Sequence, residues 1–454
     1  MALDLYYRTT SGLRVVLVCV STPLPALVFA LLVELIPLQP PTAGSFGNWG
    51  FWLRYWATLT AMSLAGVWQV RVLIPELQFT TGKCLVAAFV SSSVHVGMSA
   101  LFSHLTVFPV PFIIALGGTP GAAILCAAIL VVLRIRPSAM DPEVKTQLRR
   151  FFRVVINCGV MMAVYPAYNA LFVAASPLSQ SALIIGLQLF KLAMKNAMAR
   201  ALRHLEDFMP EQVVFFVEVF NMMYLTTCMQ TANAIHTVAL IIGLDCAQSL
   251  WEIRAIQKHV SAMKSLIEQL PQSHSRTDNA DFLETSLDDA WVLEVLQTQN
   301  IFGRGGRTWQ PAFGANADKI KLTLLHDALQ SLFHVEYVVL VEYVECIIPF
   351  IFICYSAVRI NLPSEKYYPH PRHDNGEMSS VGDSLWFLFA NVILYTGLEF
   401  VSVVALNALC WCKLRFLPLY QLAFVLETER ALVQSKLVLW FVLLLQFQLY
   451  HFGA

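Results

Sequence analysis

The sequence predicts an all-α fold, a polytopic bundle of about nine to eleven transmembrane helices with a helical cytoplasmic insertion. Charged residues make up only 13% of the 454 residues and apolar residues 57%, whereas a typical soluble domain is about 25% charged. The apolar residues also form runs that match the roughly 20 helical residues needed to cross a bilayer core. Lys+Arg and Asp+Glu are both 30, so the lipid bilayer, and no nucleic acid, is the predicted partner.

Each long apolar run is predicted to be a helix, because unpaired backbone groups do not face lipid. In chain order the runs are Val15–Leu38, Tyr55–Val70, Cys84–Leu105, Phe112–Leu133, Val154–Ala175, Leu183–Met198, Val213–Thr231, Ala234–Leu250, Val338–Ile360, Leu385–Leu409 and Leu432–Leu449. The first run is about twice as long as a signal-peptide apolar region, so we predict a retained span. The segment 183–250 fits either three spans, or an interfacial helix followed by one crossing.

The distribution of basic residues predicts a cytoplasmic N-terminus, because short cytoplasmic loops carry the excess of Lys and Arg. With alternating sides, the first inner segments hold Arg8, Arg14, Arg71, Lys83, Arg134, Arg136, Lys145, Arg149, Arg150 and Arg153. The outer segments hold only Arg54, Arg359, Lys366 and Arg372. We therefore predict an integral, multi-pass membrane protein with the polar segment 251–333 on the cytoplasmic side.

This polar segment divides the chain into an N-terminal bundle (1–250), a cytoplasmic helical insertion (251–333) and C-terminal transmembrane helices (334–454). The insertion begins with apolar residues at steps of three and four from Ile253 to Leu270, a heptad seam that continues the preceding span. The seam over 253–270 predicts either a helix packed against its neighbours or a subunit contact. The partner in that contact is a second copy of the chain or a cytoplasmic protein.

No catalytic signature is found in the sequence. It contains no phosphate-binding Gly-rich motif, no His-Glu-x-x-His and no Gly-x-Ser-x-Gly. The ten cysteines are scattered and none has Cys-x-x-Cys spacing. We therefore predict no catalytic residues, no cofactor and no metal site, and a membrane-embedded enzyme ranks last among the functions.

Carboxylates inside the predicted spans are the most informative side chains, because a charge at membrane depth is costly and indicates a functional site. They are Glu34, Glu218, Asp245, Glu342, Glu345 and Glu399. Glu399 is nearest to the middle of its span, and Glu342 and Glu345 share one helix face. We expect these groups to turn towards Lys191, Lys195, Asn391, Asn407 or His95. Such buried groups also occur as paired or protonated residues that only support helix packing.

Two further features of the spans have alternative interpretations. His95 is predicted either to relay protons, with an unperturbed pKa of about 6.5, or to be a hydrogen-bonded interior group. Gly117, Gly118, Pro120 and Gly121 weaken the fourth span, since proline removes a helix hydrogen bond. Irregular backbone at membrane depth often marks a substrate site in transporters. The glycines and proline therefore predict a broken helix beside a water-filled cavity, or else a tight packing kink.

The C-terminal part of the chain carries the segments Leu417-Pro-Leu-Tyr-Gln-Leu-Ala-Phe-Val-Leu-Glu427 and Val433-Gln-Ser-Lys436. They resemble segments of uncharacterised multi-spanning membrane proteins of filamentous microbial eukaryotes. The resemblance covers a small part of the chain and implies a polytopic family. It transfers no activity and no residue role.

The first functional hypothesis is a transporter or channel-like protein for a small solute or ion. Glu399 would be its buried carboxylate, beside the cavity at 117–121. The alternative is a membrane receptor or scaffold that recruits partners through the segment 251–333. In that case, the carboxylates only hold helices together.

Overall fold

The computed structural model describes residues 2–134, 141–202, 209–231, 235–268, 315–368, 381–414, 417–446 and 449–453, and regular structure within them is helical. The first helices are α1 (Ala2–Thr9), α2 (Gly12–Ser21), α3 (Leu24–Glu34), α4 (Trp49–Leu73), α5 (Thr81–Leu105), α6 (Ile113–Leu133), α7 (Pro142–Ala174) and α8 (Pro177–Leu202). After them come α9 (Met209–Val213), a π-helical turn (Val214–Glu218), α10 (Val219–Thr231), α11 (Ile235–Glu268), α12 (Ala315–Arg359), α13 (Val381–Leu414), α14 (Pro418–Thr428) and α15 (Arg430–Leu444). The predicted all-α class is confirmed.

Eight helical segments of the described ranges are long and apolar enough to cross a membrane. They are Gly12–Glu34, Thr81–Leu105, Ile113–Leu133, Pro142–Phe172, Ser179–Leu202, Pro210–Met229, Phe333–Arg359 and Ala390–Cys412. The chain is therefore an integral, multi-pass helical membrane protein. Within 183–250, two separate segments meet the criteria, which favours separate spans over an interfacial helix with one crossing.

The number of qualifying segments is smaller than the number of predicted spans. The remaining three predicted spans coincide with α4, α11 and α15, whose described residues lack the combination of length and apolarity. Helix α4 has 25 residues but includes Arg54, Thr58 and Gln69, all buried. Helix α15 has only 15 residues, and α11 continues from its apolar half into the polar sequence after Leu250.

Helices α4 and α15 pack antiparallel, and the contacts at their termini define the two ends of the bundle. Thr58 Oγ1 lies 3.2 Å from Gln446 Oε1, and the rings of Phe51 and His451 are 5.6 Å apart. At the opposite end of the bundle, Arg14 forms an ion pair of 3.0 Å with Glu427, just before α15 begins. We call the end with Arg14 the basic end, and the end with His451 the distal end.

The predicted domain boundaries at 250 and 334 fall inside continuous helices. Helix α11 runs from Ile235 to Glu268, and α12 runs from Ala315 to Arg359. Residues 269–314 lie outside the described residues, as does the end of the predicted seam. The subunit contact and the recruitment of partners through 251–333 stay predictions.

The centre of the bundle is formed by α9, the π-helical turn and α10. Every residue in the apolar window of Pro210–Met229 is buried inside the protein, compared with 11% of the window of Ile113–Leu133. This central helix contacts α7, α8, α12, α13 and α15. One contact is a hydrogen bond of 2.9 Å that Trp440 Nε1 donates to the Phe215 carbonyl. The helices around it therefore provide the apolar surface that faces lipid.

Candidate functional site

Five helical elements bring ionisable side chains together beside the central helix. Helix α8 provides two lysines. The π-helical turn, α11 and α13 each provide one carboxylate, and α12 provides two. These residues, which we call the charged centre, are Lys191, Lys195, Glu218, Asp245, Glu342, Glu345 and Glu399. The carboxylates are 0–4% exposed, and Lys191 is 3% exposed. Four of these predicted candidates, Glu218, Asp245, Glu345 and Glu399, thus form one cluster with Glu342 beside it, and the predicted lysine partners are part of it.

Two lysines on successive turns of α8 neutralise the carboxylate of the π-helical turn. Lys191 Nζ lies 3.0 Å from Glu218 Oε2, and Lys195 forms an ion pair with the other oxygen of Glu218. Lys191 Nζ is also 3.5 Å from Glu345 Oε1 and donates a 3.4 Å hydrogen bond to Gln248. Lys191 therefore connects the ion pairs of Glu218 with the acidic half of the centre.

The acidic half contains three carboxylates on three different helices. Asp245, Glu345 and Glu399 each present one oxygen, and these oxygen atoms all lie within 4.8 Å of one another. The Tyr395 hydroxyl donates a 2.9 Å hydrogen bond to Asp245 Oδ2 and thereby orients this carboxylate. The carboxyl group of Glu399 also interacts with Asp245 and Tyr395. One oxygen of each glutamate, Glu345 Oε2 and Glu399 Oε2, is buried and has no hydrogen-bond partner among the described residues.

Glu342 lies one helical turn from Glu345, on the side towards the basic end. It interacts with the hydroxyls of Ser249 and Ser402 and faces the charge of Asp245. Its Oε2 atom is buried and has no hydrogen-bond partner in the described part of the chain. This residue therefore adds a further carboxylate oxygen beside the three-carboxylate cluster.

The charge of this group is not balanced. Five carboxylates stand against two ammonium groups, a surplus of three negative charges if all are ionised. An unpaired charge at membrane depth is energetically costly, and a buried carboxylate without a partner either takes up a proton or pairs with a cation. The charged centre is therefore suited to binding positively charged species.

The π-helical turn is a local feature that the sequence did not predict. It spans Val214–Glu218 and places Glu218 at its last position. π-Helical turns are rare, and they frequently occur at functional sites because the extra residue redirects side chains. In this bundle the turn is where the central helix presents its one carboxylate of the cluster to both lysines.

Polar groups continue from the charged centre towards the basic end. Gln248 Nε2 donates a 3.4 Å hydrogen bond to Glu252, one turn further along α11, and Lys195 Nζ lies 5.4 Å from the ring centre of Tyr337. Burial raises the pKa of Glu252, beyond the predicted span, to about 7. Polar side chains therefore line the region between the charged centre and this end.

Aromatic side chains close the opposite side of the centre. The Tyr165 ring lies 4.7 Å from that of Phe220 and 5.4 Å from that of Phe190. Tyr395 lies one turn from Glu399 on α13, on the side of the distal end. The charged centre is thus continued by polar groups on one side and by packed rings on the other.

His95 is not part of the charged centre. Its buried ring packs against α6, where a Cβ atom on Gly117 would lie 2.8 Å from His95 Nε2 and one on Gly121 would lie 2.6 Å from Cε1. The Tyr55 ring lies 6.0 Å away. This arrangement gives the two glycines a packing role, because only a residue without a side chain leaves room for the imidazole.

Of the two alternatives for Gly117, Gly118, Pro120 and Gly121, the helix agrees with close packing rather than with a break. Helix α6 runs without interruption from Ile113 to Leu133 with Pro120 inside it. Membrane helices tolerate proline when neighbouring groups compensate for the lost hydrogen bond. The motif lies against His95 and Tyr55 rather than beside Glu399, so the predicted cavity joining the motif to Glu399 is not supported.

Glu34 belongs to a separate, fully satisfied cluster at the distal end. Arg54 Nη1 pairs with Glu34 Oε2 at 2.8 Å, and both side chains are buried. The hydroxyls of Tyr355, Tyr368 and Ser364 donate hydrogen bonds of 2.9, 2.7 and 3.1 Å to the same carboxylate. Arg54 was expected in an outer loop; it lies in α4 instead and joins three parts of the chain through Glu34.

No family model, curated protein or solved structure matches the chain. The geometry of the charged centre is therefore the basis for assigning a function.

Proposed function

We propose that the protein transports a small cation across the membrane and that the charged centre is the site through which the cation passes. The surplus of buried negative charge carries this proposal: five carboxylates share two ammonium groups. A group of this kind gains stability from each proton or metal ion that it binds. Transport requires such a site inside the bilayer, where cations are otherwise excluded.

The cluster around Glu34 supports a transport role over a purely structural one. There, one carboxylate has a guanidinium and three hydroxyl groups as partners. Glu34 thus shows that a buried carboxylate in this chain can be fully paired. Glu345 and Glu399 each keep a buried oxygen without a described partner, which a scaffold role does not require.

The polar side chains on one side of the centre indicate the direction from which a cation would reach it. Polar residues such as Gln248 and Glu252 extend towards the basic end, and the rings around Tyr165 fill the other side. Alternating access needs one closed and one accessible side at a time. We therefore propose that this conformation admits a cation from the basic end.

Replacement of Glu399 by Gln tests the function, because it removes one negative charge and preserves the size of the side chain. The purified full chain would be reconstituted in liposomes, and fluxes of H⁺, Na⁺, K⁺, Ca²⁺ and Mn²⁺ would be measured with ion-selective dyes across an imposed gradient. We expect wild-type flux of at least one of these cations above that of protein-free liposomes. E399Q should lower that flux at least about tenfold, as expected for loss of a group that binds the transported ion.

Glu427→Gln is the matched control, since Glu427 pairs with Arg14 at the exposed basic end. Its flux should equal that of the wild type, as surface ion pairs contribute little. Wild-type flux no greater than that of empty liposomes, or equal flux in E399Q and wild type, would rule out the proposed mechanism.

We further propose that the basic end faces the cytoplasm. Basic residues lie in the terminal parts of three helices at this end: Arg71 in α4, Lys83 in α5, and Lys145, Arg149 and Arg153 in α7. An excess of Lys and Arg on the cytoplasmic side is the rule for short loops of helical membrane proteins. This orientation places the accessible side of the charged centre inside the cell.

A further inference from the structure

We propose that Asp245, Glu345 and Glu399 together bind one divalent cation of the size of Ca²⁺. This inference deepens the proposed function, on which it rests for its biological meaning, because it names the class of cation. It departs from the sequence-based expectation, which includes no metal site. Three observations carry it: the spacing of the oxygen atoms, their missing partners and the orientation of the surrounding groups.

The spacing of the three carboxylates fits Ca²⁺. Their oxygen atoms lie within 4.8 Å of one another, and ligands on opposite sides of Ca²⁺ are about 4.6–5.2 Å apart, twice the Ca–O distance. A Ca²⁺ ion therefore accommodates every spacing up to that limit. Mg²⁺ loses its water ligands reluctantly and is seldom held by protein ligands alone, so a buried site made of carboxylates favours Ca²⁺. Oxygen-only ligation also disfavours Zn²⁺ and Cu²⁺, which prefer nitrogen and sulfur.

The missing hydrogen-bond partners are a second observation, besides the acidic cluster itself, that points to a bound ligand. Glu345 is 1% exposed and Glu399 is 4% exposed, and each keeps one oxygen without a hydrogen-bond partner among the described residues. Nearly all buried polar atoms in proteins are satisfied, so each exception requires an explanation. A cation shared by the three carboxylates satisfies these atoms and removes most of the surplus negative charge.

The other oxygen atoms are held in place by residues that do not compete for the cation. Lys191 Nζ approaches Glu345 at Oε1, which leaves Oε2 free to ligate. Tyr395 donates its hydrogen bond to Asp245 Oδ2 and fixes the orientation of this carboxylate. Groups that orient metal ligands in this way are a regular part of metal sites. Glu342 faces the charge of Asp245 but lies outside the group of three carboxylates.

Binding can be measured without flux. Equilibrium binding of radioactive ⁴⁵Ca²⁺ to the purified full chain in lipid nanodiscs should saturate at one ion per chain. Tb³⁺, which resembles Ca²⁺ in size, should show emission sensitised by Tyr395, and Ca²⁺ should displace it more effectively than Mg²⁺ does. The variants E399Q and D245N should each lower the affinity for Ca²⁺ at least about tenfold, whereas E427Q should bind as the wild type does.

Several results would overturn the cation site. They are the absence of saturable ⁴⁵Ca²⁺ binding to the folded wild type, unchanged affinity in both E399Q and D245N, and an equal loss in E427Q. Wild-type binding decides the matter even if a variant does not fold. Saturable binding in a protein without flux would support the site and reject transport. Proton flux without Ca²⁺ binding would support transport and reject the site.

Discussion

At the scale of single residues, the contact between His95 and α6 explains a motif for which the sequence left both a helix break and a packing kink open. A Cβ atom on Gly121 would meet two ring atoms of His95 at 2.6 and 2.7 Å, whereas one on Gly118 would meet only the flexible end of Met162 at 4.0 Å. Gly117 and Gly121, one turn apart, together leave a groove for a side chain from the neighbouring helix. Small residues at helix interfaces allow this close approach in membranes.

Gly121→Ala should therefore destabilise the protein by about 1–3 kcal/mol through overpacking. Gly118→Ala is the control and should be neutral or should stabilise by up to about 1 kcal/mol, because alanine favours helix. Thermal unfolding in nanodiscs measures both changes. In the H95A background, G121A should cost less stability than it does in the wild type, because the added methyl group no longer meets the imidazole. Equal unfolding temperatures for G118A and G121A would contradict the groove.

Residue chemistry also determined how much of the candidate site could be predicted. The carboxylates of the charged centre were predictable because they interrupt apolar runs, where a charge is costly. The same criterion selected Glu34, which turned out to be fully paired with Arg54. Hydropathy does not distinguish these cases, because the partners of Glu34 come from residues far away in sequence, such as Tyr355 and Tyr368.

At the scale of elements, the central helix differs from its neighbours in having no lipid-facing side. Phe220 on α10 is fully buried, and its ring lies 4.6 Å from that of Trp440. Phe400 on α13 is 60% exposed on a helix of similar hydropathy. The apolar sequence of Pro210–Met229 predicts a span in either situation, since a helix that is apolar all round is equally suited to lipid and to a protein core.

Phe220→Ala should lower the free energy of unfolding by about 3–5 kcal/mol, because the cavity it leaves is surrounded by packed helices. Phe400→Ala, which changes the same side chain at a lipid-exposed position, should cost less than about 1 kcal/mol, since lipid fills the space. Denaturant unfolding in mixed micelles compares the two. A Phe400 variant that loses as much stability as the Phe220 variant would show that the central helix is wrongly placed.

At the scale of the whole molecule, composition alone established the all-α membrane class, but not the number of crossings. Eight segments qualify by length and apolarity, and an even number of crossings would leave the two ends of the chain on one side. The packing indicates otherwise. His451 accepts or donates a 2.7 Å hydrogen bond with the Gln39 carbonyl at the distal end, whereas Arg14 lies at the basic end.

We therefore expect tags added before α1 and after Gly453 to lie on opposite sides of the membrane. Protease protection of both tags in sealed, oriented vesicles measures this, with detergent-opened vesicles as the control. In whole cells, the tag before α1 should be protected, in agreement with a cytoplasmic basic end. Digestion of both tags from the same side would mean that α4, α11 and α15 do not all cross.

Helices α11 and α12, which flank residues 269–314, pack against each other and carry Asp245 and Glu345. Both helices extend beyond the bundle core: α11 continues to Glu268, and α12 begins at Ala315. A long helix behaves as a stiff rod, so a change in the spacing of these two ends at the basic end moves both carboxylates as well. A force that changes the distance between these two helix ends would thus alter the affinity for a bound ion without any contact to its ligands.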